Sequence, residues 1–191
     1  MAGKRRLGPR NSEVWHTILD ATEQVLREDG YGAASSRRVA EVAGIKQGLV
    51  YYYFETMDDL LVECFKRRTT RGLERYAAEA AGERPVGAIW KDLSEMVDAR
   101  LAFEFNALAN HNPEIRAEVN RFLLASRDLH ARTIAREAEA RGLDLSPATP
   151  RALAFLIYAV TQIMVREQAN GVTDGHAEVR DLFGILLDRF D

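Results

Sequence analysis

A single cysteine, Cys64, leaves this chain of 191 residues no internal disulfide framework and suits a reducing compartment. No apolar run approaches the roughly 20 residues of a membrane span. The N-terminus lacks the apolar region of a signal peptide, so a cytoplasmic protein with no membrane partner is expected. Four histidines, His16, His111, His130 and His176, are scattered without the spacing of a zinc site, and no metal is expected. Nucleophile-elbow, P-loop and dinucleotide fingerprints are missing as well, which argues against an enzyme and against any cofactor. Paired carboxylates such as Asp58-Asp59 are accounted for by a helix start, and Cys64 by burial on an apolar helix face. No internal repeat, low-complexity segment or strand pattern is found.

What is present is helical. Hydrophobic residues make up 47% of the chain, ample for a core. The net charge of −3 is unevenly spread. Residues 1–55 hold 8 Lys and Arg against 7 Asp and Glu, whereas the remainder holds 18 against 22. Residues 1–10 carry Lys4, Arg5, Arg6 and Arg10 and no acid. A small DNA-touching end on an acidic body fits that distribution. The basic tail itself has two readings, a solvated end or an arm that reaches phosphates or a minor groove.

Asn11 or Ser12 is expected to cap a first helix, in which Val14, Ile18, Ala21, Val25 and Leu26 recur at spacings of three and four up to Asp29-Gly30. Ser35 to Ala43 is a short amphipathic segment with Val39, Ala40 and Ala43 on one face. Gly44 permits the sharp turn after it. Gln47 to Phe54 follows, with Val50 and Phe54 inward. Two short helices joined by a tight glycine turn make a helix-turn-helix, whose second helix enters the major groove of DNA.

The pattern Ser36, Val39-Ala40, Ala43-Gly44-Ile45, Gly48, Val50-Tyr51, Phe54 and Leu60 resembles the DNA-binding domain of TetR/AcrR-family transcriptional regulators. The likeness covers about the first third of the chain. The resemblance implies an all-α fold: an N-terminal three-helix helix-turn-helix domain and a larger C-terminal helical domain for ligand binding and dimerisation. We place the basic arm and DNA-binding domain at 1–55, a connecting helix at 56–82, and the effector-binding and dimerisation domain at 83–191. The implied partners are a double-stranded DNA operator with two-fold symmetry, a second copy of the chain and a small-molecule effector. Repression is the family's usual mode. A DNA binder without ligand control, activating or architectural, is the alternative.

For DNA contact, Gln47 is the foremost candidate, since its amide can bond adenine in a bidentate way. Arg37 resembles a position that reaches guanine in some relatives and phosphate in others. Ser36 is read as a phosphate ligand or a simple N-cap. Gly48 keeps the helix slim, Leu49 can touch a thymine methyl, and Tyr51 and Tyr52 can place hydroxyls on phosphate while Tyr53 packs. Two positions depart from the family pattern: Lys46 stands where many relatives have a capping Ser, and Met57 where they commonly carry a Lys.

Beyond the break at Gly82-Glu83-Arg84-Pro85, residues 86–110 predict two helices bending near Arg100 to Glu104. Asn112-Pro113 opens a long helix on which Ile115, Val119, Phe122, Ser126, Leu129 and Thr133 share a face. Trp90, Met96, Phe103, Phe122 and Tyr158 are candidate walls of an effector pocket, with Asn106, Arg127, His130 and Gln162 as polar anchors, for a hydrophobic or aromatic molecule. After Thr149-Pro150 the segment 152–165 is apolar nearly all round and needs cover on both sides. With the stripe Val179, Leu182, Phe183, Leu186 and Phe190 on the last helix, it predicts a homodimer through a four-helix bundle. Its interface residues are expected to be Leu156, Val160, Met164, Val179, Leu182, Phe183 and Leu186.

Overall fold

Ser12 and Ser35 decide where the first two helices begin. The Ser12 hydroxyl accepts from the Trp15 amide at 3.2 Å and opens α1 (Glu13–Glu28). Ser35 does the same for the Arg38 amide at 3.2 Å and opens α2 (Ser36–Val42). Gly30 and Gly44, at φ 79 and 65, take the left-handed turns after these helices. The computed structural model describes residues 8–190, except Val97 and the side chains of Met96, Ala99 and Arg100. Lys4, Arg5 and Arg6 of the basic tail therefore lie outside the described residues, as does the side chain of Met96.

The recognition-type helix α3 (Gln47–Tyr53) has no side-chain cap from Lys46. A reciprocal pair opens α4 (Met57–Glu79): Thr56 Oγ1 accepts from the Asp59 amide at 3.0 Å, and Asp59 Oδ2 accepts from the Thr56 amide at 2.9 Å. α5 (Pro85–Lys91) runs into a π-helical turn, Asp92–Met96, and α6 spans Ala99–Ala109. The break between the two helices thus falls earlier than the expected bend near Arg100 to Glu104. Its cause is Asp98, whose carboxylate accepts from the Leu101 amide at 3.1 Å and caps the new helix. Asn112 caps α7 (Pro113–Ala140) through Glu114 and Ile115, and Thr149 caps α8 (Pro150–Ala169) through Ala152. α9 (His176–Leu187) follows. The architecture is all-α, and no strand occurs among the described residues. Nor is any helix there long and apolar enough to cross a membrane.

The chain divides into two units, Met1–Thr69 with Phe103–Val119, and Thr70–Ala102 with Asn120–Asp191. In the first unit Ile18, Leu19, Val25, Leu26, Val39, Leu60 and Leu61 are fully buried. Trp15 stacks on Phe54 at 6.1 Å, and Phe65 meets Phe105 at 4.7 Å. Arg67 of α4, its side chain 7% exposed, reaches α1 at Asp20 (2.7 Å) and Glu23 (2.6 Å). Cys64 is fully buried against the Leu19 carbonyl, and burial pushes its thiol up, which leaves an inert side chain.

The second unit packs Tyr76, Val86, Ile89, Leu93, Ile134, Ala154 and Ile157 into one apolar core. Polar groups are set into it. Asp92, 1% exposed, receives the Arg75 guanidinium at 2.5 and 3.1 Å. Burial and the nearby Asp92 carboxylate push the Glu79 carboxyl up. His130 lies 4.8 Å from the Tyr76 ring, and its Nε2 has no hydrogen-bond partner among the described residues.

Burial lowers the His130 imidazole to about 4, outweighing the opposing pull of Asp92. Between that value and the roughly 6.5 of an exposed imidazole, the unfolded chain holds a proton that the folded chain does not. Stability from this group is therefore full above about pH 6.5 and falls away toward pH 4, by on the order of 3 kcal/mol. Urea unfolding of the wild type and of His130→Leu at pH 7 and pH 4.5 measures it. The substituted chain should lose markedly less stability on acidification, and equal losses would contradict the assignment.

Candidate nucleic-acid interface

α3 is seven residues long, and its inward side is spent on Val50, with Phe54 just beyond its end. The remaining side chains are left for the outside. Lys46, Gln47, Gly48, Leu49 and Tyr52 are exposed, as is Arg37 on α2. Arg38, by contrast, is engaged with Asp29 at 2.8 Å and Glu41 at 3.2 Å. A Cβ on Gly48 would meet nothing within 4 Å, so the chain itself does not demand glycine there. Met57 is half-buried at the start of α4.

Ser36 is the position where the structure departs most from the sequence reading. The cap of α2 is Ser35, one residue earlier, because the backbone is still extended there (φ −112, ψ 156) and turns helical only at Ser36. Ser36 itself is buried. Its hydroxyl accepts from Gln47 Nε2 at 2.9 Å and donates to the Tyr51 hydroxyl oxygen at 3.0 Å. It thus holds two side chains of α3 from the neighbouring helix. These two bonds leave unused the Gln47 carbonyl, its second N–H and the hydroxyl hydrogen of half-buried Tyr51. Tyr52 is 45% exposed and Tyr53 half-buried, their rings edge-on at 5.1 Å.

Gly8 carries no signal in the sequence. Its amide donates to the Tyr52 carbonyl at 2.8 Å, so the N-terminal segment touches α3. Pairing across 44 positions has no periodicity by which a sequence could announce it.

The effector candidates are divided. Trp90, Phe122 and Tyr158 are half-buried against the core of the second unit, with Trp90 stacked on Phe183 at 4.4 Å. Arg127 sits 4.8 Å over the Phe155 ring, its Nε without a partner among the described residues, and Gln162 is half-buried nearby in sequence on α8. Phe103 and Asn106 fall in the first unit. Of the interface candidates, Leu156, Leu182 and Leu186 are exposed, and Val160 and Val179 are half-buried. Met164 is buried and Phe183 is turned onto Trp90, so both serve this chain's own interior. Phe155, Ile163 and Ile185, the last 69% exposed, extend the apolar surface beyond the residues named from sequence.

Residues 18–64 match the model of the family described as bacterial regulatory proteins, tetR family. The fatty acid metabolism regulator protein of Bacillus subtilis (strain 168) is 30% identical over 113 residues, which are 56% of this chain and 58% of that protein. The chain spans a little over half the length of the curated relatives it matches. Among solved structures, the fatty acid degradation regulator FadR from Bacillus halodurans superposes with a TM-score of 0.70 at 23% identity, over 94% of this chain and 97% of that one. FadR from Bacillus subtilis, solved in complex with stearoyl-CoA, gives 0.62 at 18% identity over 82% and 88%. The glycine-turned pair α2 and α3 lies inside the residues that match the tetR family model, and the likeness of helical fold extends over nearly the whole chain.

Proposed function

We propose that this chain is a DNA-binding transcriptional repressor that sits as a homodimer on a palindromic operator and leaves it when an effector with a long apolar body binds. The observation that carries the DNA reading is the surface of α3. Gln47, Gly48, Leu49 and Tyr52 are open while Ser36 holds Gln47 from below. An amide restrained in this way loses less side-chain freedom on meeting a base. Arg37, Lys46, Tyr51 and Tyr52 supply phosphate contacts that fix register, and Gln47 and Leu49 read base edges.

Leu156, Leu182 and Leu186, with Phe155, Ile163 and Ile185, form apolar surface on α8 and α9 that a second copy covers. Two-fold pairing sets two copies of α3 at matching half-sites. The effector enters the second unit beside Trp90, Phe122 and Tyr158. A fatty acyl body is supported by the relatives, one named for fatty acid metabolism and one solved with stearoyl-CoA. α4 contributes residues to both units, so an effector that favours one placement of α4 changes operator affinity by the same factor by which the operator changes effector affinity.

Fragments recovered from a random DNA pool should show an inverted repeat. On that operator Gln47→Ala should cost about 1–3 kcal/mol and relax preference at one position per half-site, read by fluorescence anisotropy. Uniform loss at every position would assign Gln47 to the backbone instead. Leu182→Asp with Ile185→Asp should give a monomer by analytical ultracentrifugation and lose the full site. A fully dimeric double variant would place the interface elsewhere. Stearoyl-CoA, titrated into the complex, should weaken operator binding about 5- to 150-fold. No change in affinity would reject an acyl effector.

A further inference from the structure

The chain passes from α1 to α2 through a 3-10 turn, Tyr31–Ala33. The first amide of such a turn has no partner inside it, and Gly30 before it has no side chain with which to cap it. The cap comes from 73 residues away: Glu104 of α6 accepts from the Tyr31 amide through Oε2 at 3.0 Å. Its other carboxylate oxygen lies over Gly30, where a Cβ would stand 3.4 Å from Oε1. From that turn the backbone runs straight into Ser35, the cap of α2, whose amide donates to the Ala33 carbonyl at 2.8 Å. Leu101, Phe105 and Leu108 bury the adjoining face of α6, and Phe105 meets Phe65 of α4 at 4.7 Å. Glu104 is thus seated by its own helix, half-buried, against the turn.

α6 is shared between the units, residues 99–102 falling in the second and residues 103–109 in the first. Ahead of it comes the π-helical turn Asp92–Met96, which packs on α8 and carries buried Asp92 and Leu93. We propose that Glu104 is a positioning residue for operator binding: its hold on the Tyr31 amide keeps α2, and through Ser36 the Gln47 side chain, in the operator-binding arrangement, and the effector acts in part by drawing this carboxylate away. This role of Glu104 rests on the DNA and effector readings above and adds to α4 a second route between them, one that ends on α2. The consequence is specific. A contact made only in the effector-free arrangement strengthens operator binding there and contributes nothing once the effector is bound.

Operator affinity of the full chain, measured with and without saturating stearoyl-CoA, tests this in the wild type, Glu104→Ala and Glu104→Gln. Without the acyl-CoA, Glu104→Ala should bind the operator about 2- to 30-fold more weakly than the wild type. With it, the two affinities should converge, so that the release factor of the variant falls by the same amount. Glutamine keeps a carbonyl for the Tyr31 amide, and Glu104→Gln should recover most of both effects. Hydrogen exchange followed by NMR gives a reading free of DNA. The Tyr31 amide should exchange faster in Glu104→Ala than in the wild type, and stearoyl-CoA should bring the wild-type rate toward that of the variant. A merely structural role lowers the thermal midpoint and operator affinity but leaves the release factor unchanged, and that result overturns the assignment. So does wild-type affinity in Glu104→Ala, or a Tyr31 exchange rate that stearoyl-CoA does not alter. A wild type that binds no duplex, or that stearoyl-CoA does not release, fails the reading above and takes the role of Glu104 with it. That outcome is distinct from a wild type that is released and a Glu104→Ala that is released equally.

Discussion

A seven-residue helix has no stability of its own in water, because too few hydrogen bonds repay the ordering of its first turn. α3 therefore exists only where Val50 and Phe54 are buried, and the support beneath them is the condition for everything else. Trp15 stacks on Phe54, and α1 and α4 are locked together by Arg67 across Asp20 and Glu23. Since the inward residues are committed to anchoring, only a few side chains of α3 remain outward. The structure uses those few economically. Ser36, buried on the neighbouring helix, restrains Gln47 and Tyr51 without occupying any of the exposed surface of α3.

Local chemistry is legible in the sequence, and long-range pairing is not. Caps at Ser12, Asn112 and Thr149, the turn at Gly44 and the buried face Ile115, Val119, Ser126 and Thr133 all follow from rules that act within one helical turn. The confusion of Ser35 with Ser36 has a simple origin. Two adjacent serines are equal candidates by type, and only the residue at which the backbone turns helical separates them. Asp98 escapes a reading by periodicity because its neighbours are strongly apolar, yet one carboxylate at an N-cap suffices to restart a helix.

The apolar helices α8 and α9 show the limit of stripe reading. Counting large side chains says how much surface must be covered but not by what. Met164 and Phe183 share sequence character with Leu156 and Leu182, yet the first two serve this chain's own interior. Phe183 is taken by Trp90, on a helix distant in sequence, a pairing that no periodicity encodes. Gly8 is the extreme case: a small residue in a basic tail, placed against Tyr52 and Tyr53 by tertiary structure alone.

Both units set polar groups in their interiors. In the first, Arg67 meets Asp20 and Glu23 while its Nε has no partner among the described residues, and Thr22 and Ser36 are buried in the same unit. In the second, Asp92, Glu79 and His130 are set among apolar residues, with Nε2 of His130 and Oε2 of Glu79 unpaired among the described residues. Each unpaired buried polar atom costs about 1–3 kcal/mol that a leucine or methionine of similar volume would avoid. In the first unit that cost is offset by the two acids that hold Arg67, and in the second the effector proposed above would find in Asp92, Glu79 and His130 the few polar groups that orient a molecule in an apolar interior.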